Sequence, residues 1–113
     1  MDHDDDTPTT STVIPGYRVA DFLERLWEAA HYVRSTQDDL TQALRRVDYS
    51  QRTDTITTAT VRARLDTFQA ALVALAVYRA AAKVLDLPAS TVAIATGTDR
   101  DAFWAEYDAW RVS

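Results

Sequence analysis

The chain has 113 residues, 47% of them apolar and 26% charged, with two Gly, three Pro and no Cys. That length allows one domain with a modest core, the scarcity of turn residues disfavours a β-rich fold, and the lack of Cys excludes disulfides and thiolate metal sites. The formal charge of −5 resides in the tail: setting aside Asp2, Asp4, Asp5 and Asp6 leaves 13 of the 17 acidic residues against 12 basic ones, so bulk charge calls for neither nucleic acid nor an anionic membrane.

Residues 1–14 are Asp, Thr, Ser and Pro with little to bury, which is the composition of a disordered acidic tail; residues 15–113 read as a single helical domain. His3 among the tail Asp residues makes a loose cation site at most, because ordering a flexible tail costs entropy. The acidic, Thr-rich start does not read as a secretory signal, and the expected compartment is cytoplasmic.

Pro15-Gly16 turns the chain into a first helix. Leu26, Ala30, Val33, Gln37, Leu40, Leu44 and Val47 recur at heptad spacing, Phe22 and Leu23 extend the stripe backwards, and Gln37 is its one polar member. No Gly or Pro lies between Tyr17 and Ser50, so one helix of about thirty residues, roughly 45 Å long, is expected. The polar stretch from Asp48 to Thr58 is rich in side chains that compete for backbone hydrogen bonds, and it reads as a hairpin turn.

A second helix then runs back antiparallel, with Val61, Leu65, Phe68, Leu72 and Leu75 as its seam. From Ala70 to Leu85 it is apolar nearly all round, with Arg79, Lys83 and Asp86 forming a narrow polar strip. Such a helix is expected to be covered on more than one side, and the strip argues against a membrane span. Leu87-Pro88 ends it. Ala89 to Thr96 fits either a short helix capped by Ser90 or a brief extended piece, the helix being favoured, and Gly97 breaks it; Thr98 with Asp101 three residues on marks the start of a last helix, about Asp99 to Arg111.

Four patterns carry candidate chemistry. Glu28-Ala29-Ala30-His31, with Glu24 one turn earlier, has the Glu-x-x-His spacing that resembles ferritin-like di-iron sites, and that resemblance implies a carboxylate/His metal-binding bundle. These side chains point away from the hydrophobic seam, and Asp66 is the one interior acidic residue the second helix offers, so no metal or other cofactor is expected. Arg25 and His31 have a spacing that resembles HEPN ribonucleases, helical dimers that cut RNA; it implies His31 as general acid or base and Arg25 as the stabiliser of phosphate charge. Leu26 stands where that motif usually has a polar residue.

Arg45, Arg46, Arg52, Arg62 and Arg64 bracket the hairpin turn and would form the contact surface of a small nucleic-acid-associated subunit, diluted by Asp38, Asp39, Asp48, Asp54 and Asp66. Phe103, Tyr107 and Trp110 on one stripe of the last helix, with Trp104 beside them, would anchor a protein partner or form a lid over the open end of the hairpin. The overall size resembles the small helical hairpins of the WXG100 type, but the Trp-x-Gly turn of that family is missing from Asp48 to Thr58.

The sequence therefore leads to an all-α fold: an antiparallel hairpin of two long helices plus a short C-terminal helix, completed as a helical bundle by oligomerisation. The function expected is that of a non-enzymatic oligomerisation or adaptor protein, most simply a homodimer, otherwise a higher homo-oligomer or a complex with another protein. The partner-binding set is Leu72, Val73, Val77, Val84, Phe103, Trp104, Tyr107 and Trp110.

Overall fold

A computed structural model describes residues 14–50 and 55–113, with side chains described for 14–47 and 58–113. The tail reading at 1–13 and the candidate contacts Arg52 and Asp54 lie outside the described residues. Four helices follow in order: α1 (Gly16–Ser50), α2 (Thr55–Val84), α3 (Ala89–Ala95) and α4 (Arg100–Arg111), with no strand among the described residues. The chain is an antiparallel hairpin of two long helices with two short helices packed on it, as expected for an all-α fold.

The helices run further into the hairpin turn than the composition suggests, since α1 reaches Ser50 and α2 begins at Thr55. Propensity differences of a few tenths of a kcal/mol per residue are outweighed once two long helices pack side by side. Thr residues inside the helices are accommodated by turning their hydroxyls onto the preceding turn: Thr41 Oγ1 donates to the Gln37 carbonyl at 2.9 Å and Thr67 Oγ1 to the Ala63 carbonyl at 3.0 Å.

The seam of α1 departs from a strict heptad in its middle. Leu23, Leu26 and Ala30 are buried as expected, with Val19 before them, but Thr36 is buried and Gln37 exposed, after which Ala43 faces inward and Leu44 is left in water. Thr36 can occupy this place because its hydroxyl hydrogen-bonds to the carbonyls of Tyr32 and Val33 at 2.9 and 3.0 Å. On α2 the inward line is Phe68, Ala71, Leu75, Tyr78 and Ala82, at steps of 3, 4, 3 and 4. Leu65 and Leu72, expected in the seam, lie at its exposed edge. Small Ala71 and Ala82 allow close approach of the two helices, and the rotation this requires carries Leu65 and Leu72 outward.

α2 ends in a Schellman arrangement. The Leu87 amide donates to the Ala82 carbonyl at 3.1 Å and the Asp86 amide to the Lys83 carbonyl at 3.0 Å, with Asp86 in the left-handed region at φ 59°. α3 follows directly after Pro88 without a side-chain cap, so Ser90 lies inside its first turn instead of capping it. The cap of α4 is Asp99, one residue later than expected: its extended backbone aims the carboxylate at the Ala102 amide, 3.0 Å away.

α4 packs on α1 and α3. One core results, built from Val19, Leu23, Leu26, Trp27, Ala95 and Phe103, with Phe22, Leu75, Tyr78, Val92, Ile94, Tyr107 and Trp110 around it. Burial of Leu23, Leu26 and Phe103, which are essentially free of solvent contact, contributes about 1.5–3 kcal/mol each. The hairpin's share of this core comes from the N-terminal half of α1 and the C-terminal half of α2, with α3 and α4 packed against it. Toward the hairpin tip the two long helices continue alone as a stalk whose buried side chains are Thr36, Ala43 and Ala71.

Two polar links hold the head together. The Arg34 guanidinium donates to the carbonyls of Thr96 and Gly97, the latter at 3.2 Å, and so places positive charge at the C-terminus of α3, where the helix dipole favours it. The Glu106 carboxylate accepts from the Thr91 hydroxyl at 2.6 Å and from Trp110 Nε1 at 3.1 Å, tying α3 to α4.

Candidate interaction surface

The side of α2 turned away from α1 is left uncovered by packing among the described residues. Ala70, Val73, Val77, Ala80 and Val84 are all exposed, and they recur at steps of 3, 4, 3 and 4, a second heptad line roughly opposite the first, whose tip-side end lies nearer α1, where Asp66 and Ala70 share a shallow cleft with Tyr32. Val73 is 64% exposed, Val77 61% and Val84 85%. Asp66 continues this line by one step toward the tip. Seen along the axis, α2 presents one apolar line to α1 and another to water, which is why its pattern reads as apolar nearly all round.

Beside this line, Ala76, Ala80, Lys83, Leu87 and Ala93 line an open groove of about 650 Å³ between the C-terminal half of α2 and α3, with Arg79 also on its wall. The expected coverage of α2 on more than one side is therefore not met among the described residues of a single chain. Thr58–Val84 is also long and apolar enough, by length and composition, to cross a membrane. Arg79 and Lys83 fall in its apolar half, and the α1 helix alongside it carries Asp21, Glu28, Asp38 and Asp39 exposed to solvent. Hydrocarbon would tolerate neither arrangement cheaply.

The aromatic set divides. Phe103 is fully buried and stacks on Trp27, with centroids 4.6 Å apart and planes at 21°, so it is a core residue and leaves the partner-facing set. The cause is a second apolar face on α1, Ala20, Leu23 and Trp27, which draws α4 along the side of that helix. Tyr107 and Trp110 are half-buried around the same core, and Trp104 stays 39% exposed with its ring edge-on to Phe103 at 5.0 Å. Of the residues expected to bind a partner, Leu72, Val73, Val77, Val84 and Trp104 are available for it.

The metal-like and nuclease-like spacings land on an exposed face of α1. Glu24, Trp27, Glu28, His31, Tyr32, Phe103 and Trp104 line a shallow cleft of about 420 Å³, in which the His31 ring stands perpendicular to Trp27 at 4.2 Å. Among the described residues no three His, Cys, Asp or Glu side chains converge on a point where they could hold a metal. Arg25 lines a different cleft, with Asp21, Glu24 and Glu28, from the one that His31 lines. At the hairpin tip Arg45 and Arg46 on α1, and Arg62 and Arg64 on α2, are exposed on both limbs of the same end.

No protein-family model, curated protein or solved structure matches the chain. The class that the fold and this surface define is a helical hairpin with one apolar face that the described residues leave uncovered.

Proposed function

We propose that the chain is a non-enzymatic assembly module that associates through the outer face of α2, most simply with a second copy of itself. The observation that carries this reading is the exposed heptad line Ala70, Val73, Val77, Ala80 and Val84. Single exposed apolar residues are ordinary on a protein surface, but a continuous line of them at coiled-coil spacing is the pattern by which one helix recruits another. Burying such a face gains free energy in proportion to its apolar area, and a symmetric pair is the commonest way for a single chain to bury it.

Size-exclusion chromatography with light scattering at micromolar concentration tests the reading. A dimeric or higher mass that falls to the monomer in Val73→Glu plus Val77→Glu, with helical circular dichroism retained, is the expected result. A monomer for the unaltered chain at every concentration would overturn self-assembly.

A second reading is favoured by one observation, the four exposed Arg residues on both limbs of the tip. They suit contact with a nucleic-acid backbone, and that reading expects salt-sensitive binding of RNA or DNA that weakens in Arg45→Ala plus Arg46→Ala. The acidic residues interleaved with them, Asp38, Asp39 and Asp66, make it the lesser one.

A further inference from the structure

We infer that two copies of α2 pair antiparallel, about a twofold axis level with Leu75. This rests on the self-assembly reading above and adds its orientation and register. In an antiparallel coiled coil the first apolar position of one heptad faces the fourth position of the partner helix. On the outer line Ala70, Val77 and Val84 hold the first position, and Asp66, Val73 and Ala80 the fourth. One register uses all six residues at once: Val73 faces Val77, Ala70 faces Ala80, and Asp66 faces Val84. The twofold axis repeats each layer, giving six layers over roughly 27 Å of helix at 1.5 Å per residue. Shifting one helix by a heptad in either direction leaves fewer layers.

Charge selects the same orientation. The line begins with Asp66, near Arg62, and ends with Val84, next to Lys83. Antiparallel pairing brings the exposed Asp66 carboxylate of each copy beside Lys83 of the other, twice per dimer. Parallel pairing would set the two Asp66 carboxylates in one layer and align the two helix dipoles, both of which oppose association. Small side chains favour close approach as well, because Ala70 and Ala80 face each other and Ala76 flanks the axis. Lys83 also lines the groove between α2 and α3, so the partner helix would continue along an opening the fold already has.

The chain contains no Cys, so single introduced thiols report orientation without background. Under mild oxidation, an equimolar mixture of Ala70→Cys and Ala80→Cys chains should cross-link to each other, while Val84→Cys alone should not cross-link to itself. Asp66→Lys and Lys83→Asp should each weaken dimerisation about three- to tenfold, and the two changes in one chain should restore it, since the pair is then reversed but intact.

A light-scattering dimer in which Val84→Cys links to itself and the mixture does not would overturn the antiparallel orientation while leaving self-assembly standing. Failure of the double charge reversal to restore the mass would overturn the register. A monomer in solution would sink both, and a monomer that floats with anionic phosphatidylcholine/phosphatidylserine vesicles would assign the face to lipid instead. Circular dichroism on each variant separates loss of pairing from loss of fold.

Discussion

Trp27 of α1 and Phe103 of α4 stack face to face, 76 positions apart in the chain, and their contact packs the last helix against the side of the hairpin. Truncating Phe103 removes a fully buried ring from the only core the described residues build. Phe103→Ala is expected to cost about 3–5 kcal/mol, and Phe103→Leu distinctly less. Urea unfolding followed by tryptophan fluorescence measures both; a Phe103→Ala chain as stable as the parent would show that the head does not depend on this pair.

Glu106 accepts two hydrogen bonds, from the buried Thr91 hydroxyl and from Trp110, so its loss strands a donor inside the protein. Glu106→Ala should destabilise by about 1–3 kcal/mol, the usual cost of an unsatisfied buried polar group. Glu106→Gln keeps a carbonyl oxygen with two lone pairs and should lose less than half as much. Equal losses in the two variants would mean that the charge matters and not the hydrogen bonds.

These links also mark where the sequence stops being informative. The two long helices, their antiparallel return and the punctuation at Pro88 and Gly97 are local signals, carried by spacing and by residues that break helices, and they were legible. The rotation of α2 was not. A helix apolar nearly all round has no unique phase, and the choice of Ala71 and Ala82 over Leu65 and Leu72 for the inside depends on how closely α1 approaches.

The step from Val33 to Thr36 escaped for a related reason, because a heptad template prefers Gln37 and cannot anticipate a hydroxyl that satisfies itself on its own helix. Arg34 to Gly97 and Trp27 to Phe103 are contacts between distant positions with no local pattern at all. The extra apolar residues Ala20 and Trp27, one step beyond the main stripe of α1, were the one available sign of a second packing face. As for the candidate surface, Leu72, Val73, Val77 and Val84 could be named from the excess of apolar residues, while Phe103 could not be separated from its exposed neighbour Trp104 by periodicity.

Gly16 begins α1 against the far end of the chain. A Cβ at this position would overlap the Trp110 carbonyl oxygen and crowd Ser113. In an open helix Gly→Ala is stabilising, so the sign of the effect is diagnostic here. Gly16→Ala is expected to lower stability by about 1–3 kcal/mol, because backbone must move to make room. An increase in the urea midpoint would show that the two ends are not held together.

Asp86 supplies the left-handed residue that closes α2, a position where Gly avoids the Cβ penalty of about 1–2 kcal/mol. Glycine's greater freedom in the unfolded chain offsets about 0.5–1 kcal/mol of that gain. Asp86→Gly should therefore raise stability by roughly 0.5–1 kcal/mol. A drop in the thermal midpoint instead would assign the Asp86 side chain a contact of its own.

The unequal burial along the hairpin has a dynamic counterpart. Amide hydrogen exchange reads the free energy of opening residue by residue, and opening is least costly where few apolar contacts must be broken. Around Leu23 and Leu26 an amide is released only when the whole head comes apart, whereas near Ala43 two helices can part with little else disturbed. Protection factors in the isolated chain should thus climb steadily along α1 from Ala43 toward Trp27.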